Sequence, residues 1–227
     1  MEKKPICLII FGPPAAGKGT QSAKIKEKYQ IRHLSTGDML RESIANKTKL
    51  GETAEEYMNA GKLVPDDLVK GIVEEVLNSP SCANGFLLDG YPRTMRQAQD
   101  LDEILSQIGK KLTAVINLDV PQKKLIERVV GRMIHPPSGR IYHKIFKPPK
   151  VPMKDDITGE DLIIRKDDTE EVMKSRLQNY FDQANKILEH YKKENLLTNI
   201  DLKEKDYNFD EVTQLIFTEV EKMINNQ

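Results

Sequence analysis

A run of small residues near the start of the chain, Gly12-Pro13-Pro14-Ala15-Ala16-Gly17-Lys18-Gly19-Thr20, has the residue types that hold phosphate groups. It follows the apolar segment Ile6–Phe11 and precedes a polar stretch that predicts a helix. A strand, a glycine-rich turn and a helix start let backbone N–H groups surround phosphate oxygens, and the helix dipole adds positive potential. Lys18 supplies a charge for the outer phosphates. The sequence therefore predicts a nucleoside triphosphate site.

The hydroxyl residue of this loop, Thr20, stands one position later than in the common pattern, because Gly19 follows Lys18. The sequence leaves open whether Thr20 contacts a Mg²⁺ ion. A second element of the same kind is the apolar run Phe86–Leu88, which ends in the carboxylate of Asp89. Asp89 can bind Mg²⁺, or water molecules on that ion, beside the phosphates. The alternative is an aspartate that only caps the next turn.

Arginine is scarce in this chain, and its placement is informative. Only nine of the 35 basic residues are arginine. Six of them lie at motif edges or helix starts: Arg41, Arg93, Arg128, Arg132, Arg165 and Arg176. The planar guanidinium binds phosphate through two parallel hydrogen bonds, which lysine cannot do. Six such groups favour two phosphate-bearing substrates held face to face, although a surface ion pair remains the alternative for any single arginine.

The strands that position these residues are predicted from continuous apolar runs. They are Ile6–Phe11, Phe86–Leu88, Ala114–Leu118 and Leu196–Ile200. Short continuous runs of this kind, separated by helical periodicity, are typical of a parallel sheet covered on both faces. The pattern predicts an α/β fold with a doubly wound sheet.

Amphipathic helices are predicted between and after these strands. One opens at Pro65, and its apolar stripe begins with Leu68. Another begins after Asp168, with Glu171 as the partner in a capping box. The last helix carries a stripe from Val212 to Met223 that includes Leu215. We expect all of these stripes to pack into the core.

A proline-rich stretch from about Gly131 to Asp168 interrupts this pattern. It contains Pro136, Pro137, Pro148, Pro149 and Pro152, with short β-like pieces such as Arg140–His143 between them. A long irregular insertion in an α/β domain usually has a function, and we predict a lid. His135, Ser138 and Asp155 could form a hydrolytic triad, but no turn of the kind that exposes a nucleophile surrounds Ser138.

Charge and composition restrict the possible partners. The chain has 35 Lys and Arg against 35 Asp and Glu, which argues against a nucleic acid or an acidic membrane as partner. The longest apolar run is too short to cross a membrane. Cys7 and Cys82 lack the spacing of a metal site. A cytoplasmic location is therefore expected, and the mitochondrial intermembrane space remains open.

Several ordered motifs resemble those of adenylate kinases. They are Ser35–Arg41, Gly61–Val64, Asp89–Thr94 with Gln97, and Gly131-Arg132 followed by His135–His143. The long lid, with Asp155–Gly159 and Arg165–Asp168, resembles the long-form enzymes, nearest to the eukaryotic isoenzyme 2 type. The resemblance covers about Ile6 to Arg176 and continues weakly beyond. It implies reversible Mg²⁺-dependent transfer of a phosphoryl group from ATP to AMP, and the P-loop nucleoside monophosphate kinase fold.

The resemblance also assigns the residues around ATP. The phosphate loop would comprise Ala15, Ala16, Gly17, Lys18, Gly19 and Thr20. Arg132, Ile141 and Tyr142 in the lid would close over ATP. Ala15 stands where the family often has glycine, which leads us to expect an ordinary negative φ at that residue. The chain from Asp201 to Asp206 departs from the family pattern, so no residue there is assigned to the adenine of ATP.

The AMP site and the transfer site follow from the same resemblance. AMP would contact Thr36, Arg41, Lys62, Leu63, Val64, Gly90, Tyr91, Pro92, Arg93, Gln97, Arg165 and Arg176. Gln97 would recognise the edge of the adenine ring through paired hydrogen bonds. The catalytic set would be Lys18, Asp89, Arg93, Arg128, Arg132, Arg165 and Arg176, in which the arginines surround the migrating phosphoryl group.

The resemblance implies a division of the chain and a set of cofactors. Residues 1–34, 65–130 and 169–227 would form the core, 35–64 a helical AMP-binding insertion, and 131–168 a small β-rich lid. The only partners expected are ATP, AMP and ADP, with Mg²⁺ held mainly by phosphates and water, and the chain is expected to be a monomer. Some relatives bind zinc through four cysteines where this chain has His135, Ser138, Asp155 and Thr158. Serine and threonine are poor zinc ligands, so a hydrogen-bonded cluster without zinc is predicted instead.

Other nucleotide-binding functions share some of these features. A GTP-dependent AMP kinase shares the long lid, whereas uridylate and cytidylate kinases have a short lid and usually an asparagine near Gln97. A non-catalytic nucleotide switch would need a guanine-recognition motif, and Asn46-Lys47-Thr48-Lys49 lacks the final carboxylate of that motif. Asp156–Gly159 resembles a switch element but lies inside the lid rather than after a strand.

Overall fold

The computed structural model describes residues 4–203 and 207–226. The strands are β1 (Ile6–Phe11), β2 (Arg32–Ser35), β3 (Gly85–Asp89), β4 (Ala114–Asp119), β5 (Arg132–His135), β6 (Arg140–His143) and β7 (Leu197–Asp201). The helices are α1 (Lys18–Tyr29), α2 (Thr36–Ala45), α3 (Lys49–Asn59), α4 (Asp66–Leu77), α5 (Met95–Gln107), α6 (Gln122–Val129), α7 (Glu170–Lys193) and α8 (Phe209–Asn225), with a 3₁₀ turn at Pro80–Cys82.

Five of the strands form a parallel sheet in the order β2-β3-β1-β4-β7. Alternate residues of β1 enter two different cores, because successive side chains of a strand point to opposite faces. Cys7 and Ile9 pack with α4, α5 and α7, whereas Leu8 and Ile10 pack with α1 and α8. Both faces of the sheet are covered, which explains the continuous apolar runs and confirms the predicted α/β fold.

The structure adds one strand that the sequence did not predict. In β2 only Leu34 is fully buried, so Arg32–Ser35 has neither a continuous apolar run nor a clear alternation. The strand forms because it pairs with β3 over its whole length, from Arg32 opposite Phe86 to Ser35 opposite Asp89. Long-range pairing, rather than local preference, decides this edge of the sheet.

Two details of the helix predictions were wrong. The residue that caps α7 is Thr169, whose hydroxyl accepts from the Val172 N–H, and not Asp168. Leu68 and Leu215 are 36% and 39% exposed, so they lie outside the core. In α4 the buried residues are Val69, Val73 and Leu77, spaced by four. The predicted stripe began one residue too early, at Leu68.

The segments that flank the sheet have distinct architectures. Helices α2 and α3 form a close pair, in which a Cβ on Gly51 would lie 2.1 Å from the Ser43 carbonyl oxygen, so only glycine fits there. Strands β5 and β6 form an antiparallel hairpin, and a bridge joins Ile134 to Ile163. No helix within 4–203 or 207–226 is long and apolar enough to cross a membrane.

Candidate functional site

A cavity of about 1050 Å³ opens at the carboxyl ends of β1, β2 and β3. In doubly wound sheets this edge is where ligands bind. Every residue that the sequence assigned to a site lines the cavity except Ala16. The Ala16 side chain is buried in the core, and its N–H donates to the Pro13 carbonyl at 3.1 Å. The six arginines selected from the sequence all face this one cavity.

The backbone of the loop between β1 and α1 agrees only in part with the expectation from the sequence. A Cβ on Gly12 would lie 2.9 Å from the Leu118 carbonyl oxygen, so the loop passes β4 more closely than an alanine allows. The expectation of an ordinary φ at Ala15 was wrong, since its φ is 63°. The bond from Ala16 N–H to Pro13 closes a turn in which Pro14 is followed by a positive φ, as in type II turns. The left-handed conformation costs about 1–2 kcal/mol without glycine.

Lys18 lies across this loop. Its Nζ donates to the carbonyl oxygens of Gly12 and Pro13, both at 2.8 Å. Burial, together with the charges of the cavity arginines, lowers the pKa of Lys18 to about 8 against the opposing effect of Asp89. The ammonium group is therefore held at the mouth of the loop, where phosphate oxygens would meet it.

Asp89 ends β3 beside the loop, and its carboxylate has few competing partners. Ser22 Oγ donates to Asp89 Oδ2 at 3.4 Å, and the His33 Nε2 lies 3.5 Å from the same oxygen. Burial would raise the pKa of Asp89, but His33 and Lys18 outweigh it, so the pKa lies below its usual value. The group is ionised at neutral pH.

Two oxygen-bearing side chains of the cavity have the chemistry that Mg²⁺ prefers. Residues 4–203 and 207–226 contain no group of three His, Cys, Asp or Glu that could hold a metal. Asp89 and the Thr20 hydroxyl both face the cavity. One carboxylate and one hydroxyl fit Mg²⁺, which keeps several waters and binds substrate phosphates rather than an all-protein cage.

Aspartates hold the arginines of the cavity in place. Arg132 Nε donates to Asp168 Oδ2 at 2.8 Å, and Arg176 Nη1 donates to Asp167 Oδ2 at 3.0 Å. Burial lowers the pKa of Arg176 to about 10, so this arginine stays charged at neutral pH. The guanidinium groups are thus positioned by carboxylates before any phosphate enters.

Asp38 joins two further arginines. Its Oδ1 accepts from Arg41 Nη2 at 2.7 Å and from Arg165 Nη2 at 2.6 Å. Burial alone would raise the pKa of Asp38, but Arg41 and Arg165 lower it to about 2. Burial also lowers the pKa of Arg165 to about 10. This triad brings α2 against the segment that precedes α7.

The other end of the cavity is lined by residues of α2, α5 and the loop before α4. Thr36 Oγ1 donates to the Gly90 carbonyl at 2.9 Å, which ties α2 to the end of β3. Gln97 is buried, with its Oε1 accepting from the Arg93 N–H and its Nε2 donating to Asp66. Each amide atom retains one further lone pair or hydrogen for a ligand.

The hairpin β5-β6 lies over the phosphate loop. A Cβ on Gly19 would lie 2.9 Å from Ile141 Cδ1, so this side chain touches the start of α1. Tyr142 is almost fully buried, and its hydroxyl donates to Asp155 Oδ1 at 2.9 Å. Glycine at position 19 therefore allows the hairpin to approach the loop closely.

The predicted polar cluster in this segment is present. His135 Nδ1 lies 2.7 Å from Ser138 Oγ, and Thr158 Oγ1 donates to Asp155 Oδ2 at 3.0 Å. The cluster also contains Glu160, whose carboxylate lies 2.7 Å from His135 Nε2. The four positions are thus joined by hydrogen bonds within the segment.

Comparison with known proteins decides the family. A family model described as adenylate kinase matches residues 10–196. The chain belongs to the adenylate kinase family. It is 54% identical over 193 residues to adenylate kinase 4 of Oryza sativa subsp. japonica, covering 85% of this chain and 79% of that protein. It is 53% identical over 193 residues to adenylate kinase 4 of Arabidopsis thaliana, with 85% and 78% covered.

A fungal relative gives the same result. Adenylate kinase of Malassezia globosa is 49% identical over 197 residues, which cover 86% of this chain and 77% of that protein. The family transfers a phosphoryl group from ATP to AMP with Mg²⁺, so the chain is a nucleoside monophosphate kinase. The nearness to the isoenzyme 2 type stays a prediction.

Sequence reasoning missed the carboxylates that hold the arginines. Asp38, Asp167 and Asp168 each stood inside a quoted motif, but no role was assigned to them. His33 was also missed, although it lies beside Asp89. The sequence does carry a signal for them, because Asp38 stands near Arg41, and Asp167 and Asp168 follow Arg165 closely. In the segment from Asp201 to Asp206, no residue was assigned to the adenine of ATP. Positions 204–206 of this segment lie outside the described residues.

Proposed function

We propose that this chain converts ATP and AMP reversibly into two ADP at the cavity of about 1050 Å³. The phosphate loop and Lys18 bind the ATP phosphates, and Asp89 with Thr20 faces the Mg²⁺ that accompanies them. Thr36, Arg41 and Gln97, with the loop 62–64, bind AMP. The observation that carries this proposal is the convergence of six arginines and Lys18 on one cavity.

The chemistry requires alignment and charge rather than a covalent nucleophile. The transferred phosphoryl group passes through a loose transition state with negative charge on its outer oxygens. Arg93, Arg128, Arg132 and Arg176, which line the same cavity, stabilise that charge. Arg93 is oriented by a hydrogen bond from its Nε to the Gly90 carbonyl at 2.7 Å. Bound Mg²⁺ supplies further positive charge between the phosphates.

Three aspartates, Asp38, Asp167 and Asp168, pair with four of the cavity arginines. Each guanidinium has five N–H donors, so it can keep its carboxylate and still bind a phosphate oxygen. The hairpin that carries Ile141 covers the loop and excludes water, which would otherwise accept the phosphoryl group. The hairpin therefore favours transfer of the phosphoryl group to AMP rather than to water.

A matrix of donors and acceptors tests this function. ATP and GTP are each combined with AMP, UMP, CMP and GMP, and product nucleotides are measured with and without Mg²⁺. We expect ATP with AMP to be fastest, and Lys18→Met to lower turnover by several orders of magnitude in a folded protein. If GTP with AMP is fastest, the chain is a GTP-dependent AMP kinase. No ADP above the hydrolysis rate of ATP would contradict transfer altogether.

We further propose a cytoplasmic monomer. Two free cysteines, Cys7 and Cys82, are both buried, which suits a reducing compartment. Balanced charge and a site built within one chain suit a monomer that needs no partner for catalysis. Fractionation and light scattering test these points. Recovery with mitochondrial intermembrane-space markers, or a mass of twice 25.9 kDa, would contradict them.

A further inference from the structure

A group of four hydrogen bonds lies where the start of α4 meets the start of α5, and two of them join the helices. Gln97 N–H donates to Thr94 Oγ1 at 3.1 Å, and the Thr94 hydroxyl donates to Asp66 Oδ2 at 3.0 Å. Gln97 Nε2 donates to Asp66 Oδ1 at 2.7 Å, and the Arg93 N–H donates to Gln97 Oε1 at 2.7 Å. Asp66 is therefore the one residue that contacts both Thr94 and the side-chain amide of Gln97 in this group.

The chemistry of these neighbours determines which way the amide of Gln97 faces. A carboxylate only accepts hydrogen bonds, and a backbone N–H only donates one. Reversing the amide would place its NH₂ against the Arg93 N–H and its oxygen against the Asp66 carboxylate. Gln97 is 2% exposed, so water cannot replace the lost partners. Asp66 and the Arg93 N–H thus both disfavour the reversed orientation of the Gln97 amide.

If the Gln97 amide is held in one orientation, it can distinguish adenine from hypoxanthine. An amide that is free to turn would accept both bases. Adenine presents an amino donor next to a ring-nitrogen acceptor. Hypoxanthine presents a carbonyl acceptor next to an N–H donor at the corresponding edge. The remaining hydrogen and lone pair of Gln97 suit one order of donor and acceptor, whereas an amide free to turn would suit either. Mismatched groups would be left unpaired, which is a strong basis for discrimination.

We infer that Asp66 is a positioning residue that sets base selectivity at the AMP site, by holding Gln97 in the orientation that accepts adenine and rejects 6-oxopurines. This inference rests on the proposed role of Gln97 in recognising AMP. Asp66 itself acts only through Gln97 and does not need to touch the nucleotide.

The test is the ratio of kcat/KM for AMP to kcat/KM for IMP, with ATP as donor. In Asp66→Asn the side chain keeps its size, but it can offer Gln97 either an oxygen or an N–H. We expect the ratio to fall about tenfold, chiefly through a gain for IMP, which corresponds to the loss of one hydrogen-bond preference. The KM for ATP should not change.

Asp67→Asn is the matched control. Asp67 occupies the next position in the same helix turn, and its Oδ1 accepts from Arg96 at 2.6 Å on the surface. The Asp67→Asn substitution removes the same charge from the start of α4 as Asp66→Asn does. Because Asp67 pairs with Arg96 and not with Gln97, the AMP-to-IMP ratio should stay unchanged. If Asp66→Asn does not fold, Asp66→Ser provides a hydroxyl that both donates and accepts, and the same fall is expected.

Gln97→Ala separates this inference from the proposed function. The variant should itself lower the ratio, and adding Asp66→Asn to it should have no further effect. If Gln97→Ala leaves the ratio intact, the assignment of Gln97 to AMP is wrong. If Gln97→Ala lowers the ratio but Asp66→Asn does not, the assignment stands and the inference about Asp66 is overturned. Equal rises in KM for AMP and IMP in Asp66→Asn would also overturn it, since they indicate a structural role alone.

Discussion

Arg165 and Asp38, which lie 127 positions apart in the chain, form an ion pair with an N–O distance of 2.6 Å. Asp38 belongs to α2, and Arg165 belongs to the segment that leads into α7. The same carboxylate oxygen accepts from Arg41, and both arginines line the cavity. One carboxylate therefore holds the two guanidinium groups together at the cavity, and each guanidinium keeps further N–H donors for a phosphate.

The Asp38 pair predicts a specific dependence of stability on pH. The pKa of Asp38 is lowered to about 2, so the stabilisation is fully present above its unfolded value near 4 and is lost as the pH falls through 2. We expect Asp38→Asn to lower the free energy of unfolding by at most about 1 kcal/mol at pH 6, because the carboxylate is half-exposed and screened. Urea unfolding at pH 6, 4 and 3 measures this. A difference that stays constant down to pH 3 and below would contradict it.

Lys18 predicts proton uptake on ATP binding. Its pKa in the free protein is about 8, mainly because of burial, and the anionic phosphates of ATP should raise it. At pH 8 binding should take up about half a proton, and ATP affinity should fall as the pH rises through 8. Calorimetry in buffers of different ionisation enthalpy measures the uptake. It should vanish in Lys18→Met and persist in Lys186→Met, which changes an exposed lysine of α7; equal uptake in both would contradict the assignment.

The arginines predict tight binding of a linked ligand. Two adenosines joined through five phosphates should occupy both nucleotide positions and bind at least about a hundredfold more tightly than ATP, because one association replaces two. Arg176→Ala should weaken this ligand roughly tenfold or more and slow turnover as well. Arg96→Ala, which removes a surface arginine paired with Asp67, is the control. A linked ligand no tighter than ATP would mean that the arginines do not form one site.

The segment that contains the β5-β6 hairpin depends on one buried carboxylate. Asp155 accepts from Arg140 Nε at 2.8 Å, from the Tyr142 hydroxyl at 2.9 Å and from the Thr158 N–H at 2.8 Å. Asp155→Ala would leave these donors unpaired, so we expect amide exchange over 132–143 to become roughly tenfold faster while the central sheet is unaffected. Asp161→Ala, at an exposed pair with Lys154, is the control. Stoichiometric zinc in dialysed protein would show that metal, rather than these hydrogen bonds, holds the segment.

The sequence by itself determined the elements whose signals are local. The loop Gly12–Thr20 and the run that ends at Asp89 are contiguous, because a phosphate loop needs small residues, a lysine and a helix start in one short stretch. Strands β1, β3 and β4 are buried on both faces, so their apolar runs identify them without reference to neighbours. The placement of six of the nine arginines at motif edges or helix starts selected the side chains that line the cavity.

Only the tertiary structure decided the features that depend on a distant partner. Strand β2 exists through pairing with β3, and Asp38 meets Arg165 only because the helical insertion packs beside the start of α7. The positive φ of Ala15 follows from the turn closed by Pro13, which overrides the preference of alanine. The side-chain amide of Gln97 bonds to the Arg93 N–H and to Asp66, which is 31 residues away. Hydrogen bonds and ion pairs act over about 3 Å in space whatever the separation in sequence, so local residue patterns do not specify them.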